Sequence, residues 1–288
     1  MSKPLVTIVT PAYNAEKFIS YTLRSVMFQS YSNIQHIVID DGSIDNTVRI
    51  LEKYRNEYNL NYLSKPNEGQ TITVNKGFDL AEGDIVVWLN ADDILFDKYV
   101  IEKVVEKFMS DSRVGVVYGH MAIIDEKNRL VKIQYAPPRL TYMMLLQTHP
   151  AACVFYKRSV IDKYRLDTSL NYVMDYEQCL RMCKDRISFG FINKVVIGWR
   201  RHKATKSLTM KLDAELERVK VLKKYDQKFN LYKCFINYFI LYQYLYILKL
   251  IGISKVFECY RKRGNLAFNA NFDSLLKIII RQVIPFIT

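Results

Sequence analysis

Ile85-Val86-Val87-Trp88-Leu89-Asn90-Ala91-Asp92-Asp93 sets an unbroken apolar run against an acidic stop. A strand that shows no polar residue on either side has both faces covered, as in a parallel sheet layered between helices. The same grammar stands upstream. Val6-Thr7-Ile8-Val9-Thr10 stops at Pro11, and within residues 15–29 the apolar Phe18, Ile19, Leu23, Val26 and Met27 follow at helical spacing. His36-Ile37-Val38-Ile39 runs into Asp40-Asp41-Gly42-Ser43, after which Val48, Ile50, Leu51 and Tyr54 mark another helix. Strands alternating with amphipathic helices predict an α/β fold with a mostly parallel sheet flanked by helices. Ligands of such sheets bind beyond the carboxyl ends of the strands. Here those ends carry Tyr13-Asn14, Asp40-Asp41 and Asp92-Asp93, so three polar clusters are expected to converge on one crevice.

The 288 residues are half hydrophobic and 25% charged, with only 10 Gly and 7 Pro, which excludes disordered, collagen-like and linker-dominated chains. Five cysteines (Cys153, Cys179, Cys183, Cys234, Cys259) stand at irregular spacings with no CxxC pair, and read as reduced, buried thiols. Met1-Ser2-Lys3-Pro4 leads straight into an apolar strand without the regions of a signal peptide, so the cytoplasm is the expected location.

Beyond residue 110 the pattern loosens. Val114-Gly115-Val116-Val117-Tyr118 reads as a strand, Pro137-Pro138 as an interruption and residues 175–184 as a helix. From about residue 210 the chain reads as helical. Phe235 to Ile253 is strongly apolar, yet Tyr238, Tyr242, Tyr246 and Lys249 fall on one stripe, which favours a helix lying in a membrane interface over one that spans it. Leu275 to Arg281 has similar character.

The net charge of +13 is uneven: residues 208–288 hold 14 basic and 6 acidic residues, against 28 and 23 in residues 1–207. A basic, aromatic-rich extension suits an anionic partner, either a membrane surface or nucleic acid. No nucleic-acid motif is present and the strongest clusters are acidic, so nucleic acid is the weaker reading.

No GxGxxG or GxxxxGK[ST] loop is available to cradle phosphates. Carboxylates at a strand end approach a diphosphate only through a divalent cation, and hard oxygen ligands suit Mn²⁺ or Mg²⁺. Singly, Asp92-Asp93 and Asp40-Asp41-Gly42-Ser43 are better explained as helix caps and turns.

As an ordered set they are more specific. Pro11-Ala12-Tyr13-Asn14, Asp40 to Thr47, Asn67-Glu68-Gly69 with Asn75-Lys76-Gly77, and Trp88 to Asp93 together resemble the family 2 glycosyltransferases of GT-A fold, over roughly residues 4–207. The resemblance implies a GT-A domain at 1–207 with a Rossmann-like sheet, its nucleotide-sugar half at about 1–110 and its acceptor half at 111–207, followed by a helical extension at 208–288. It implies an inverting, metal-dependent transferase using a nucleotide-diphosphate sugar, UDP-linked by family habit. The donor-binding set it implies is Pro11, Tyr13, Asn14, Asp41, Gly69, Asn75, Asn90, Asp92 and Arg201. Tyr13 would pack on the base, Asp41 would bond it, and Gly69 and Asn75 would line the pocket. Asp92 and Asp93 would hold ribose and metal, with His202 of Trp199-Arg200-Arg201-His202 completing the metal shell, and Arg201 or Lys206 would screen the phosphates.

Two positions depart from the family pattern: Asn90 stands where an Asp is usual, and Val74 where many members carry Arg. They motivate a second reading, a catalytically weak nucleotide-sugar-binding protein, against which Asp92, Asp93 and Asp175 argue.

Inversion needs a base to take the acceptor proton, and a carboxylate opposite the leaving group suits that task. Asp175, opening Asp175-Tyr176-Glu177-Gln178-Cys179-Leu180-Arg181, is the candidate and Glu177 the rival. His149 matches a histidine the family often carries before an acceptor-side strand, and equally suits a structural role. The acceptor is read as a glycan or lipid-linked saccharide, with the enzyme peripheral on the inner face of the membrane.

Overall fold

A computed structural model of the chain describes residues 3–147, 154–206 and 211–225. Its first half alternates as the sequence predicts: β1 (Val6–Ala12), α1 (Ile19–Met27), β2 (Ile34–Asp40), α2 (Thr47–Tyr54), β3 (Leu60–Ser64), α3 (Gln70–Leu80) and β4 (Ile85–Trp88). There follow β5 (Ile94–Leu95), α4 (Val100–Ser110), β6 (Val114–Ile124), β7 (Leu130–Gln134), α5 (Tyr142–Gln147), β8 (Val154–Lys157), α6 (Arg158–Lys163), α7 (Met174–Lys184), β9 (Ser188–Arg200) and α8 (Lys211–Tyr225).

The strands form one sheet in the order β3-β2-β1-β4-β8-β6-β9-β5, with β7 paired to β6. β3, β2, β1 and β4 are mutually parallel, β8 enters antiparallel between β4 and β6, and β9 runs parallel to β6. Register positions the site: Ala12 pairs with Asp40 and Asp40 with Ser64, so the residues that follow (Tyr13, Asp41, Lys65) leave the sheet along a single edge.

Both faces of the parallel strands are covered. Val6, Ile8, Ile85 and Val87 pack with Val100, Ile101, Val104 and Phe108 of α4. On the opposite face α3 lies so close to β1 that a Cβ at Gly77 would stand 2.1 Å from Val9 Cγ1. Each wholly buried aliphatic side chain contributes roughly 1.5–3 kcal/mol by leaving water.

Several elements carried no clear sequence signal. α3 opens Gln70-Thr71-Ile72-Thr73-Val74, the last four β-branched residues that favour strands, and is helical because Thr71, Thr73, Val74, Gly77 and Phe78 are buried. β9 mixes exposed and buried positions without clean alternation. Its strand state follows from pairing with β6 along its length.

The compact unit runs to residue 226 and so includes α8. His149, Cys153, Cys234, Cys259 and the apolar segments 235–253 and 275–281 lie outside the described residues. Cys179 and Cys183 are free, and burial raises both thiols, Cys183 to about 11, which keeps them protonated and inert. Among the described residues no helix is long and apolar enough to cross a membrane.

Candidate active site

A cleft of about 1590 Å³ opens at the carboxyl edge of the parallel strands. Of the residues singled out from sequence, Pro11, Tyr13, Asn14, Asp41, Gly69, Asn90, Asp92, Asp93, Asp175 and His202 line it, as does Lys206. Asn75 and Arg201 do not. The Asn75 amide is bonded both ways to the backbone of Leu166 (3.0 and 2.9 Å), tying α3 to the loop before α7. Arg201 is exposed, its backbone N–H donated to Ile124 (2.8 Å).

At the ends of β1 and β2, Asn14 takes a left-handed turn (φ 47°) and joins two loops: its N–H donates to Ser43 Oγ (2.8 Å) and its Oδ1 accepts from Ile44 N–H (3.0 Å). Tyr13, thus presented, is 54% exposed at the rim. Asp41 is buried, ion-paired with Lys65, and accepts the N–H groups of Glu68 and Gly69 (both 3.0 Å). Burial alone would raise its pKa; the bonds from Lys65 and Glu68 outweigh this and hold the carboxyl below the ordinary range. Gly69 reaches Asp41 at φ +92°, a conformation that favours glycine, and α3 starts at the next residue.

The turn after β4 separates its two acids. Asp93 points inward, 2% exposed, with Oδ1 accepting Arg200 N–H (2.9 Å) and Oδ2 accepting the Asn90 amide (3.0 Å). Burial, then the charge of Asp92, raise the Asp93 pKa well above the ordinary value. Asp92 turns the other way. Its Oδ2 lies 2.9 Å from His202 Nε2, and the imidazole rests on the Phe18 ring (centroids 4.7 Å apart). The carboxylate facing His202 is therefore Asp92, whereas the sequence reading put Asp93 with His202.

Asn90 has a full set of partners. Its Oδ1 accepts from Trp88 Nε1 and Gln70 Nε2 (both 2.9 Å), and its amide donates to Asp93. An aspartate there would set a second acceptor against the Asp93 carboxylate, so the amide matches its surroundings. Val74, at the other departure, is wholly buried on α3.

Arg200, not Arg201, is the arginine of this cluster, and sequence reading missed it. Its side chain is fully buried, with Nε donating to the Asp92 carbonyl (2.8 Å), Nη1 to the Asp125 carbonyl (3.1 Å), and the rings of Phe18 and Tyr21 within 5.0 and 5.1 Å of the guanidinium. The available signal was strand parity: Arg200 follows Val196 and Gly198 at even steps, and Arg201 lies past the strand end.

Across the cleft, α7 presents Asp175 from its first turn. The rival Glu177 is 1% exposed and engaged elsewhere, 3.0 Å from Arg181 and hydrogen-bonded by the Tyr225 hydroxyl. Among the described residues no three His, Cys, Asp or Glu side chains form a metal cluster. Asp92 and His202 offer one carboxylate and one imidazole, a donor pair that manganese accepts with substrate oxygens filling the remaining positions.

Comparison with known proteins agrees with this geometry. The family described as glycosyl transferase family 2 matches residues 7–166. An uncharacterized glycosyltransferase of Haemophilus influenzae is 27% identical over 258 residues, covering 85% of this chain and 97% of that protein. Staphylococcus aureus TarS 1-349, solved in complex with UDP-GlcNAc, superposes with a TM-score of 0.59 at 20% identity, over 70% of this chain and 60% of that one. The mannosyltransferase PcManGT of Pyrobaculum calidifontis, solved with GDP-Man and Mn²⁺, gives a TM-score of 0.58 at 19% identity, over 77% of this chain and 65% of that one. The fold is GT-A.

Proposed function

This chain belongs to glycosyl transferase family 2, and on that premise we propose that it moves a sugar from a UDP-linked donor to a glycan or lipid-linked acceptor with inversion at the anomeric carbon. The observation that carries the reading is one cleft lined by both the Asp92–His202 pair and Asp175, with the Asp41-braced turn as its nucleotide wall. UDP-GlcNAc in the TarS complex supports the donor class.

Tyr13 offers its exposed ring to the base, and the 65–69 turn, held by Asp41, shapes the wall beside it. Asp92 and His202 would hold Mn²⁺ or Mg²⁺, which when bound supplies positive charge to the leaving diphosphate. The Mn²⁺ of the PcManGT complex supports that choice. Lys206 lines the cleft and takes the screening role for which Arg201 is badly placed. Asp175 accepts the proton of the acceptor hydroxyl as its oxygen bonds to the anomeric carbon and the bond to the diphosphate breaks, which releases UDP and inverts the centre.

Residues 227–288, the basic part of the extension that lies beyond the compact unit, serve as a contact with an anionic membrane surface on the cytoplasmic side, beside a lipid-linked acceptor. Cosedimentation with anionic liposomes checks this, since removal of the tail is expected to abolish binding.

The deciding experiment is thermal stabilisation by a panel of nucleoside diphosphates, each with manganese and with chelator, because a ligand of the native state raises its apparent stability. UDP with manganese is expected to raise Tm, and chelator to remove the rise. A flat response across the panel rejects the reading.

A further inference from the structure

Three consecutive backbone N–H groups just before α7 share one acceptor. Glu217 of α8, only 9% exposed, accepts from Asn171 (2.8 Å), Tyr172 (2.6 Å) and Val173 (2.9 Å). Val173 is the residue on which α7 starts, and Asp175 stands in the first turn beyond it. From the other side Lys206 Nζ donates to the Asn171 carbonyl (2.6 Å). The short segment that delivers Asp175 is thus gripped by side chains from two later parts of the chain.

The grip has an electrostatic side. Successive N–H groups aimed at one point form an anion-binding concavity, and the start of a helix adds the positive end of its dipole. A carboxylate in the first turn of an open helix end is acidified by that field and is a poorer base. A second carboxylate lodged in the concavity offsets the field, and its own negative charge raises the basicity of the first.

We propose that Glu217 is a positioning residue for Asp175: it fixes the 171–173 segment that aims Asp175 into the cleft and keeps that carboxylate basic. The inference rests on the reading of Asp175 as the base. It extends the functional unit past residue 166, where the family match ends, into α8, whose Ala214, Glu215 and Arg218 also line the cleft.

Other charged groups about this segment include Glu215, Arg218 and Lys224 of α8, Lys206 after β9, Asp167 before α7, and Glu177 and Arg181 of α7. All are unchanged in a Glu217 variant, so a difference from the unaltered chain reports Glu217.

The test compares Glu217→Gln, Glu217→Ala and Asp175→Asn in the full chain. The Asp175 carboxyl is titrated by ¹³C NMR, its signal identified by its loss in Asp175→Asn. In Glu217→Gln, which keeps the side-chain shape but removes the charge and one acceptor oxygen, the midpoint is expected to fall by about 0.5–1 pH unit. With the first UDP-sugar of a panel that the unaltered chain turns over, kcat is expected to fall about tenfold at unchanged donor KM. An unmoved midpoint in folded Glu217→Gln overturns the proposal, and that variant decides if Glu217→Ala does not fold. Full turnover by Asp175→Asn would instead overturn the base reading, whatever the titration of Glu217→Gln does, so the two failures are told apart.

Discussion

Asp92 Oδ2 and His202 Nε2 stand 2.9 Å apart at the mouth of the cleft, although 110 residues separate them in the chain. The β5–β9 pairing brings the two segments together, and Arg200 fastens them. Its backbone N–H is held by Asp93, and its side chain holds the Asp92 carbonyl, so the end of β9 is fastened to the turn after β4.

The two adjacent acids are therefore expected to fail differently. Asp92→Ala retains near-native stability and loses the manganese-dependent part of the UDP thermal shift. Asp93→Ala orphans the Arg200 N–H and the Asn90 amide, each at a cost of about 1–3 kcal/mol, and lowers the urea midpoint. The reverse pattern would return the metal role to Asp93.

Asp175→Asn is expected to keep the UDP-induced rise in Tm while turnover drops by about 10²–10⁴-fold. Glu177→Gln should instead keep turnover within a few-fold and lose about 1–3 kcal/mol, because it weakens a buried arrangement with Arg181 and Tyr225. Steady-state kinetics beside urea melts of both variants separates the roles.

His36 supplies a pH dependence of stability. Its ring is buried between Thr10 Oγ1 (2.9 Å) and the Tyr58 hydroxyl (2.8 Å), and burial pushes its pKa down from 6.5 to about 3. Below the ordinary value the unfolded chain takes a proton that the folded chain refuses until about pH 3. Stability from this group thus declines as pH falls through that window, at up to about 1.4 kcal/mol per unit. Urea midpoints of the unaltered chain and His36→Gln between pH 7 and pH 4.5 should follow different slopes, the unaltered chain falling more steeply. Parallel slopes would refute the assignment.

Gly77 and Gly69 separate two reasons for glycine. At Gly77 the φ angle is ordinary but the space is filled by Val9, so Gly77→Ala is expected to cost at least about 1–3 kcal/mol, partly recovered when Val9→Ala is added. At Gly69 an added Cβ would meet nothing within 4 Å, and Gly69→Ala is opposed only by its φ of +92°, a cost of about 1–2 kcal/mol that also strains the N–H given to Asp41. Double-mutant melts check the first and single-mutant melts the second.

The strands were legible where burial on both sides made them largely apolar, as at Val6–Thr10, or wholly so, as at Ile85–Leu89. α3 was not, because its Thr, Ile and Val residues favour strands and only contact with β1 imposes the helix. Within the site, the convergence of Tyr13, Asp41 and Asp92 on one edge follows from strand ends that the sequence displays. The division of labour between Asp92 and Asp93, and between Arg200 and Arg201, does not. Neighbouring residues in a turn or at a strand end point in opposite directions, and which one faces the ligand depends on a partner far along the chain. Asn75 shows the same limit: an amide expected from sequence to line the donor pocket is spent on the backbone of Leu166.

The Arg200–Asp93 link also bears on biosynthesis. While the chain is being made, β1 to β4 and their helices emerge with Asp41 and Asp92 already in hand, whereas the strand that delivers Arg200 and His202 comes more than 100 residues later. Contacts of such separation form late, because the intervening chain must first be ordered. A ribosome-bound chain ending before β9 would therefore carry the Asp41 and Asp92 edge of the cleft while still lacking Arg200 and His202.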